Sequence, residues 1–295
     1  MKNMREERTS ARVQDAKQAE EIRSRWSWVE PSAWTERMLT ALENGVKGGV
    51  WFSLIDKVYA KANLETAFKN VEANAGSPGI DQVTVQQFGA RVDQEIEKLV
   101  RGLRAGSYRP QAIKRVYISK LGSKEKRPLG IPTVRDRTVQ AALRNVIEPI
   151  FEREFAEHSY GFRPGRGCKD ALRVVDRLLK DGHLYVVDAD LKSYFDTIPQ
   201  DRLMQRVGER VADGRVLELI ESFLKQGVME GTETWTNEEG TPQGAVISPL
   251  LANIYLNPLD HEMARNGYTM IRYADDLVIL SRRRQEAEQA LQQLL

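Results

Sequence analysis

The chain has 295 residues, of which 41% are hydrophobic and 29% charged, so it is long enough to bury a sizeable core. A single cysteine, Cys168, excludes an internal disulfide, and three histidines without i, i+4 spacing disfavour a histidine-based metal site. The net charge is only +2, no run of 18 apolar residues is present, and the charged N-terminus lacks a secretory signal, so we expect a soluble, cytoplasmic protein without a membrane span.

The first hundred residues predict helices separated by one loop. Residues 1–50 are expected to form a helical N-terminal extension with three tryptophans, which either pack against the body of the protein or stack on bases. Apolar residues from Trp51 to about Asn74 recur at helical spacing. The segment NAGSPGID (74–81) contains two glycines and a proline and predicts a loop, after which residues 84–103 predict a helix capped by Thr84.

Basic residues are concentrated in the next segment. Residues 101–137 contain 11 Lys or Arg against 2 Asp or Glu, and they include Tyr108 and Tyr117. This composition is typical of a phosphate-binding surface, although a solvated face unrelated to nucleic acid would look similar. Within the segment, residues 112–120 and 127–134 predict two strands joined by a turn.

The remaining residues predict helices interleaved with short strands. Helices are expected at 135–155, about 200–226, 244–264 and 282–295; an apolar strand begins at residue 183 and ends in acids, and hairpins are expected at 227–240 and 268–281. This order does not alternate strand and helix as a βαβ protein would, so the sequence predicts the α+β class.

Carboxylates terminate two of these predicted strands. One strand ends in Asp188 and Asp190, and the tip of the last hairpin carries Asp275 and Asp276. Aspartate is common in ordinary surface turns, so a structural role is one interpretation. The strongly apolar flanks favour another, in which the carboxylates surround hard divalent cations, because such ions prefer oxygen ligands and a pair of them promotes phosphoryl transfer.

Two neighbouring segments extend this second interpretation. TPQG (241–244) carries Gln243 before a helix of small residues, and Gly240 and Gly244 would allow a backbone or a base to approach closely. An ordinary helix entry would also fit this pattern. Phe195 follows Asp190 by five residues; it is either a core aromatic or a bulky ring beneath a nucleotide sugar, where it would collide with a 2′-hydroxyl.

Six segments in order, from residue 74 to residue 276, resemble the reverse transcriptases encoded by bacterial group II introns. They are NAGSPGID, RPLGIPTVRDRTVQ, YGFRPGRG, DADLKSYFD, TPQG and YADD. The resemblance implies the fingers and palm of a right-hand polymerase, with an antiparallel palm sheet packed on helices. It implies RNA-directed DNA polymerase activity, in which a primer 3′-hydroxyl attacks a deoxynucleoside triphosphate with the help of two Mg²⁺ ions, Mn²⁺ being an alternative.

The resemblance assigns roles to individual residues. Asp190, Asp275 and Asp276 become the catalytic carboxylates, and Asp190, Asp275 and the backbone carbonyl of Leu191 become metal ligands. The expected nucleotide-binding residues are Lys120, Arg127, Phe195 and Gln243. The expected nucleic-acid-binding residues are Asn74, Gly76, Gly79, Lys114 and Arg115. Arg163 in YGFRPGRG receives no chemical role.

The resemblance also divides the chain into regions. Fingers are expected at 51–137 and 200–238, with a template lid at 74–81, and palm at 138–199 and 239–295. We expect the thumb or maturase region and the DNA-binding and endonuclease segments to be absent, which leaves open whether these 295 residues polymerise alone. Expected partners are group II intron RNA, an RNA template with a DNA primer and dNTP, and a homodimer through apolar surface is a further option.

Three other functions are alternatives for this sequence. One is an RNA-binding splicing cofactor with lost or incidental polymerase activity, which the basic segment would also suit. Another is an RNA-dependent RNA polymerase, which Phe195 and the sequence YADD disfavour. The third is an enzyme of this type recruited to a CRISPR or phage-defence system, which TPQG does not distinguish.

Overall fold

The computed structural model of the protein describes residue 17 and residues 20–119, 126–236 and 238–294. Its helices are α1 Glu36–Asn44, α2 Ile55–Val58, α3 Lys61–Ala73, α4 Val85–Gly89, α5 Val92–Ala105, α6 Val134–Glu152, α7 Cys168–Lys180, α8 Tyr194–Thr197, α9 Gln200–Gly208, α10 Gly214–Leu224, α11 Ser248–Arg265 and α12 Arg284–Leu294. Its strands are β1 Ile113–Ser119, β2 Lys126–Ile131, β3 Tyr185–Asp190, β4 Gly227–Glu230, β5 Glu233–Thr236, β6 Thr269–Tyr273 and β7 Asp276–Ser281.

Helix α6 lies at the centre of the larger core. Thr133 caps its first turn by accepting a hydrogen bond from the Asp136 amide at 3.1 Å, and most of its 19 residues are buried. Helices α3, α5 and α11 pack against it. Because both polar and apolar faces of α6 are covered, its buried polar groups need partners, and Asp136 accepts hydrogen bonds from the Tyr108 hydroxyl and the Gln111 amide.

The structure has two sheets, and the three-stranded sheet is antiparallel, in the order β3-β7-β6. One face, with Leu277 and Ile279 of β7, packs on a cluster that includes Met263 of α11 and Ala290 of α12. The opposite face packs in part on α7 through Ile271 and other apolar residues. The predicted palm arrangement, an antiparallel sheet packed on helices in an α+β protein, is therefore confirmed.

The other sheet has the order β2-β1-β4-β5. β1 pairs antiparallel with β2 over six residue pairs and parallel with β4 at Ile113 and Lys114. β1 and β2 consequently share one sheet with β4 and β5, which lie about 100 residues later in the sequence.

Two predicted helices are each interrupted. The segment 84–103 forms α4 and α5, because Arg91 has φ −129° and ψ 25°, outside the helical region, two residues after the poor helix former Gly89. The segment 200–226 forms α9 and α10, because Asp213 adopts an extended conformation to cap α10. Its carboxylate also accepts from the amides of Leu54 and Ile55 at 2.7 and 2.9 Å, which fixes this break in place.

The other elements agree more closely with the predictions. The two hairpins lie at 227–236 and 269–281, and the capping role of Thr84 is confirmed, but α11 begins at Ser248, after the residues predicted to open it. Trp26 and Trp34 are buried, and the Trp34 indole donates to the Asn145 carbonyl at 3.1 Å, as expected for packing against the body of the protein. No helix in the part of the chain that is described is both long and apolar enough to cross a membrane.

Candidate active site

Strand pairing brings the predicted catalytic carboxylates together. Asp190, the last residue of β3, lies directly opposite Asp276, the first residue of β7. Directly opposed residues point to the same face of a sheet, so these two side chains share a surface. Asp275 lies in the two-residue connection between β6 and β7, half-buried beside them. The site therefore combines three carboxylates from two chain segments.

These carboxylates repel one another. Desolvation raises the pKa of Asp276, and the negative charges of Asp275, Asp190 and Asp188 raise it further, while Arg127 opposes the shift. The pKa is raised because desolvation, which is the larger cause, and the neighbouring negative charges both disfavour the charged form of Asp276. A bound cation would remove this repulsion.

The donor set fits a hard divalent cation. It offers only carboxylate oxygens, with no sulfur or imidazole, which is the chemistry that Mg²⁺ prefers. Within the described ranges, no group of three or more His, Cys, Asp or Glu side chains is arranged so that it could hold a metal ion. Magnesium sites that use one or two carboxylates leave the other positions to water and substrate phosphates, so Asp190 and Asp275 would need those ligands as well. The carbonyl of Leu191 accepts a hydrogen bond from the Tyr194 amide at 3.1 Å, which leaves one lone pair free.

The turn that carries Asp275 is tightly supported. Ala274 has φ 62°, a left-handed conformation that costs a non-glycine residue about 1 kcal/mol. Gly161 packs directly on it, since a Cβ added to Gly161 would lie 2.3 Å from the Ala274 nitrogen. Left-handed non-glycine residues persist where the surroundings hold them, and they are concentrated at functional sites. The YGFRPGRG segment thus braces the hairpin.

The expected sugar-contacting ring lies beside this hairpin. Phe195 is half-buried, with ring centroids 6.5 Å from Phe162 and 5.7 Å from Tyr194, both edge to face. Its backbone carbonyl accepts from the Thr241 amide at 2.6 Å. A Cβ added to Gly240 would lie 2.7 Å from the same carbonyl oxygen, so only glycine fits there.

Gln243 is held by hydrogen bonds to Asp196 and to β2. Its amide nitrogen donates to Asp196 Oδ2 at 2.8 Å, which leaves its side-chain oxygen available as an acceptor. Its backbone carbonyl accepts from the Gly130 amide at 2.7 Å, and a Cβ added to Gly244 would meet the Gly130 carbonyl at 2.4 Å. The prediction that Gly240 and Gly244 permit close backbone approach is confirmed.

The described basic residues that are expected to contact phosphates lie on the four-stranded sheet β2-β1-β4-β5. Arg127 is exposed on β2, opposite Ile118, while Lys120 lies outside the described residues. Lys114 and Arg115 are half-buried on β1, and the Arg115 guanidinium carbon lies 5.1 Å from the centre of the Trp235 ring. Arg115 is thus fixed by a cation–π contact. Desolvation raises the pKa of Asp196, and the charge of Arg115 and the hydrogen bond from Gln243 oppose this rise.

The segment 74–81 docks on the start of α6. A Cβ added to Gly79 would lie 2.7 Å from the Thr133 Cα, and one added to Gly76 would lie 2.3 Å from the Arg137 guanidinium. Arg137 also donates to the Ser77 carbonyl at 2.9 Å. Both glycines therefore face the protein. The exposed Asn74 side chain donates to the Asn70 carbonyl at the end of α3.

Arg163 has a structural role. Its side chain is 3% exposed and forms an ion pair with Glu152 at 2.7 Å, and it also donates to the carbonyls of Ala156 and Ser159. These contacts use most of its donors on the protein itself.

The family model for reverse transcriptase (RNA-dependent DNA polymerase) matches residues 118–295, more than half of the chain. The chain belongs to the reverse transcriptase family. The predicted resemblance is thereby confirmed, and the matched region includes both strands that carry the carboxylates.

The relatives of this chain include a group II intron-encoded protein. The group II intron-encoded protein LtrA of Lactococcus lactis subsp. cremoris is 40% identical over 196 residues, which is 66% of this chain and 32% of that protein. Protein YkfC of Escherichia coli K12 is 42% identical over 200 residues, 65% of this chain and 52% of that protein. The chain thus spans about a third to a half of the length of these relatives.

A solved structure shows the same fold. A chain of a partial Cas6-RT-Cas1–Cas2 complex aligns with a TM-score of 0.52, covering 82% of this chain and 42% of that chain at 23% identity. This identity is low, so the likeness concerns the fold of the reverse transcriptase and nothing further.

Sequence reasoning missed two residues that support the turn of this candidate site. Gly161 braces the turn, and Arg272, in the middle of β6, is fully buried beneath it. The role of Arg272 had a signal in the sequence, because a lone arginine inside an apolar strand needs buried partners. The contact of Gly161 with Ala274 had no signal in the sequence, because it joins positions 113 residues apart.

Proposed function

We propose that this chain forms the fingers and palm of an RNA-directed DNA polymerase encoded by a bacterial group II intron. It would extend a DNA primer on an RNA template with deoxynucleoside triphosphates. The observation that supports this most strongly is the register that sets Asp190 opposite Asp276, with Asp275 in the adjoining turn. Family membership supports the reaction class, and the intron-encoded relatives support the biological setting.

Asp190, Asp275 and the Leu191 carbonyl would hold two Mg²⁺ ions, or Mn²⁺ in their place, and Asp276 would support the site electrostatically. The ions supply activation of the attacking hydroxyl and charge compensation at the leaving pyrophosphate. The protein holds the carboxylates at a fixed surface and presents Arg127 to the triphosphate, with Lys120 in the same role. Positioning and charge compensation are the main contributions that a protein makes to phosphoryl transfer.

Discrimination between nucleotides is assigned to Phe195 and Gln243. The contacts of Phe195 with Phe162 and Tyr194 limit its movement, so its ring can exclude a 2′-hydroxyl by steric contact. The side-chain nitrogen of Gln243 is bound to Asp196, the residue after Phe195, so the side-chain oxygen is left as the acceptor for the nucleotide.

The template is assigned to the basic sheet and the segment that docks on α6. Lys114 and Arg115 would contact the phosphate backbone, which gives affinity independent of sequence. Asn74, Gly76 and Gly79 would form the template lid. Since both glycines face the protein, the backbone and the exposed Asn74 are the parts left to contact nucleic acid.

The domain boundaries and partners belong to the same proposal. Fingers would comprise 51–137 and 200–238, palm 138–199 and 239–295, and the extension 1–50; the sharing of one sheet by β1, β2, β4 and β5 supports this division. Intron RNA would be a partner in the cytoplasm. A homodimer is supported by exposed apolar side chains at Leu172, Leu184 and Val186, and light scattering of the purified chain tests it.

Primer extension tests the proposed activity. Incorporation of dNTP on an RNA template in Mg²⁺ is expected for the unsubstituted chain and lost in Asp275→Ala, while RNA binding is retained. Asp176→Ala is the matched control, because it removes an exposed carboxylate on α7 that pairs with Lys180 of the same helix. Equal incorporation by Asp275→Ala, or none by the unsubstituted chain, would refute polymerase activity of these residues.

A further inference from the structure

A fully buried arginine lies three residues before the first hairpin aspartate. Arg272 is 0% exposed in the middle of β6, among strand residues that are otherwise apolar or aromatic apart from Thr269. Burying a guanidinium is costly unless every donor has an acceptor. The hydrogen bonds of Arg272 therefore show which structural role offsets the cost of burying it.

All five N–H donors of Arg272 are used. Nε and Nη2 bind both carboxylate oxygens of Asp260 at 2.8 and 2.5 Å, and Nη2 also donates to Ser159 Oγ at 2.8 Å. Nη1 donates to Asn253 Oδ1 and to the Ala274 carbonyl, both at 2.9 Å. One rigid planar group thus joins α11, the segment before α7 and the turn between β6 and β7.

The same network reaches the turn a second time. Asn253, held by Arg272, donates through Nδ2 to the Gly161 carbonyl at 2.8 Å, and Gly161 lies against the Ala274 nitrogen. Ala274 is therefore fixed on its carbonyl side by Arg272 and on its nitrogen side by Gly161. These two contacts hold the left-handed conformation that directs Asp275 and Asp276.

We infer that Arg272 is a positioning residue, which acts through the Ala274 carbonyl to set the direction of the two hairpin carboxylates. The inference rests on the proposed function, because it gives those carboxylates a task. Stability alone explains Arg272 poorly, since well-packed apolar groups often replace a buried ion pair without loss. What an apolar side chain cannot supply is the donor that fixes the turn.

Arg272→Lys tests the inference, because lysine keeps the charge but cannot reach Asp260, Asn253 and Ala274 with one planar fork. Hydrogen exchange and Mn²⁺ binding are the two deciding measurements, and primer extension accompanies them. Hydrogen exchange of the peptide 268–281 should become faster, and Mn²⁺ affinity measured by electron paramagnetic resonance should fall about 10- to 100-fold, as is typical when a group supporting a ligand is lost. In primer extension, kcat should fall and KM for dNTP should stay nearly unchanged.

Arg210→Lys is the matched control. Arg210 also pairs with a carboxylate, Glu154 at 2.6 Å, and also donates to a backbone carbonyl, that of Glu209, but both partners lie outside the hairpin and outside YGFRPGRG. This variant should lose some thermal stability while hairpin exchange and Mn²⁺ affinity stay as in the parent. If Arg272→Lys behaves like this control in both measurements, the positioning role is refuted.

Two further variants keep the outcomes distinguishable. If Arg272→Lys does not fold, Asn253→Ala, which removes one acceptor and the link to Gly161, should change both measurements in the same direction; no change in either overturns the inference. Asp190→Asn and Asp275→Asn test the metal site itself. Unaltered Mn²⁺ binding in these two would refute the proposed site, whereas hairpin exchange in Arg272→Lys would still report on the turn.

Discussion

Substitution of Gly161 by alanine should displace the hairpin that carries Asp275. The added Cβ would lie 2.3 Å from the Ala274 nitrogen and 3.0 Å from both the Ala274 Cα and the Tyr273 carbonyl carbon. Favourable contact requires about 3.5 Å, so the two backbones must separate by about 1 Å. Side-chain rotation cannot relieve this overlap, because every atom involved belongs to the backbone or is the Cβ itself.

Two magnitudes follow from this overlap. Overpacking of this kind costs about 1–3 kcal/mol of unfolding free energy, which lowers the melting temperature by several degrees in a chain of this size. A displacement of about 1 Å at reacting groups can reduce a rate about 100-fold. We therefore expect a larger loss in primer extension than the modest loss of stability would explain.

The assay combines thermal unfolding, hydrogen exchange of the peptide 268–281 and primer extension. Gly208→Ala is the control, because Gly208 ends α9 and an added Cβ would meet nothing within 4 Å. That variant should be neutral or more stable by up to about 1 kcal/mol, with parental activity. Parental melting, exchange and activity in Gly161→Ala would show that YGFRPGRG does not brace the hairpin.

Two further predictions concern the sugar-contacting ring and a buried carboxylate. Phe195→Ala should increase incorporation of ribonucleotides relative to deoxyribonucleotides in primer extension, because the ring is assigned to exclude the 2′-hydroxyl; unchanged sugar preference contradicts this role. Burial raises the pKa of Glu148, and Arg144, which donates to it at 2.7 Å, opposes the rise. A carboxyl whose pKa is higher in the folded state than in the unfolded state loses stabilising free energy as the pH rises. Arg144→Gln should therefore lower the unfolding free energy, measured with urea at pH 8, by about 1–3 kcal/mol, and this deficit should shrink toward pH 4.5. A deficit independent of pH would argue against this effect of Arg144.

The elements of the palm were largely predictable because their signals are local. The apolar run before Asp190 and the apolar flanks of Asp275 and Asp276 give strands whose ends carry acids, and pairing of the strand ends then brings the acids together. Helix α7 escaped prediction although its apolar residues recur at helical spacing, so that signal was present in the sequence.

The support beneath the site was not predictable in the same way. Arg272 binds Asp260 and Asn253, 12 and 19 residues away, and Ser159, 113 residues away. Periodicity within a segment carries no information about such partners. The break at Asp213 has the same origin, because its carboxylate caps a local helix and also the amide of Leu54, 159 residues away.

The loop that holds Gln243 has a mechanical consequence. It hydrogen-bonds to β2 through the Gly130 amide on one side, and to the segment of Phe195 through the Thr241 amide on the other. A rotation of the four-stranded sheet must either break one of these bonds, 2.7 and 2.6 Å long, or pull the loop with it. If that sheet closes over an incoming nucleotide, the movement would thus be transmitted to Phe195, the ring that we propose contacts the sugar.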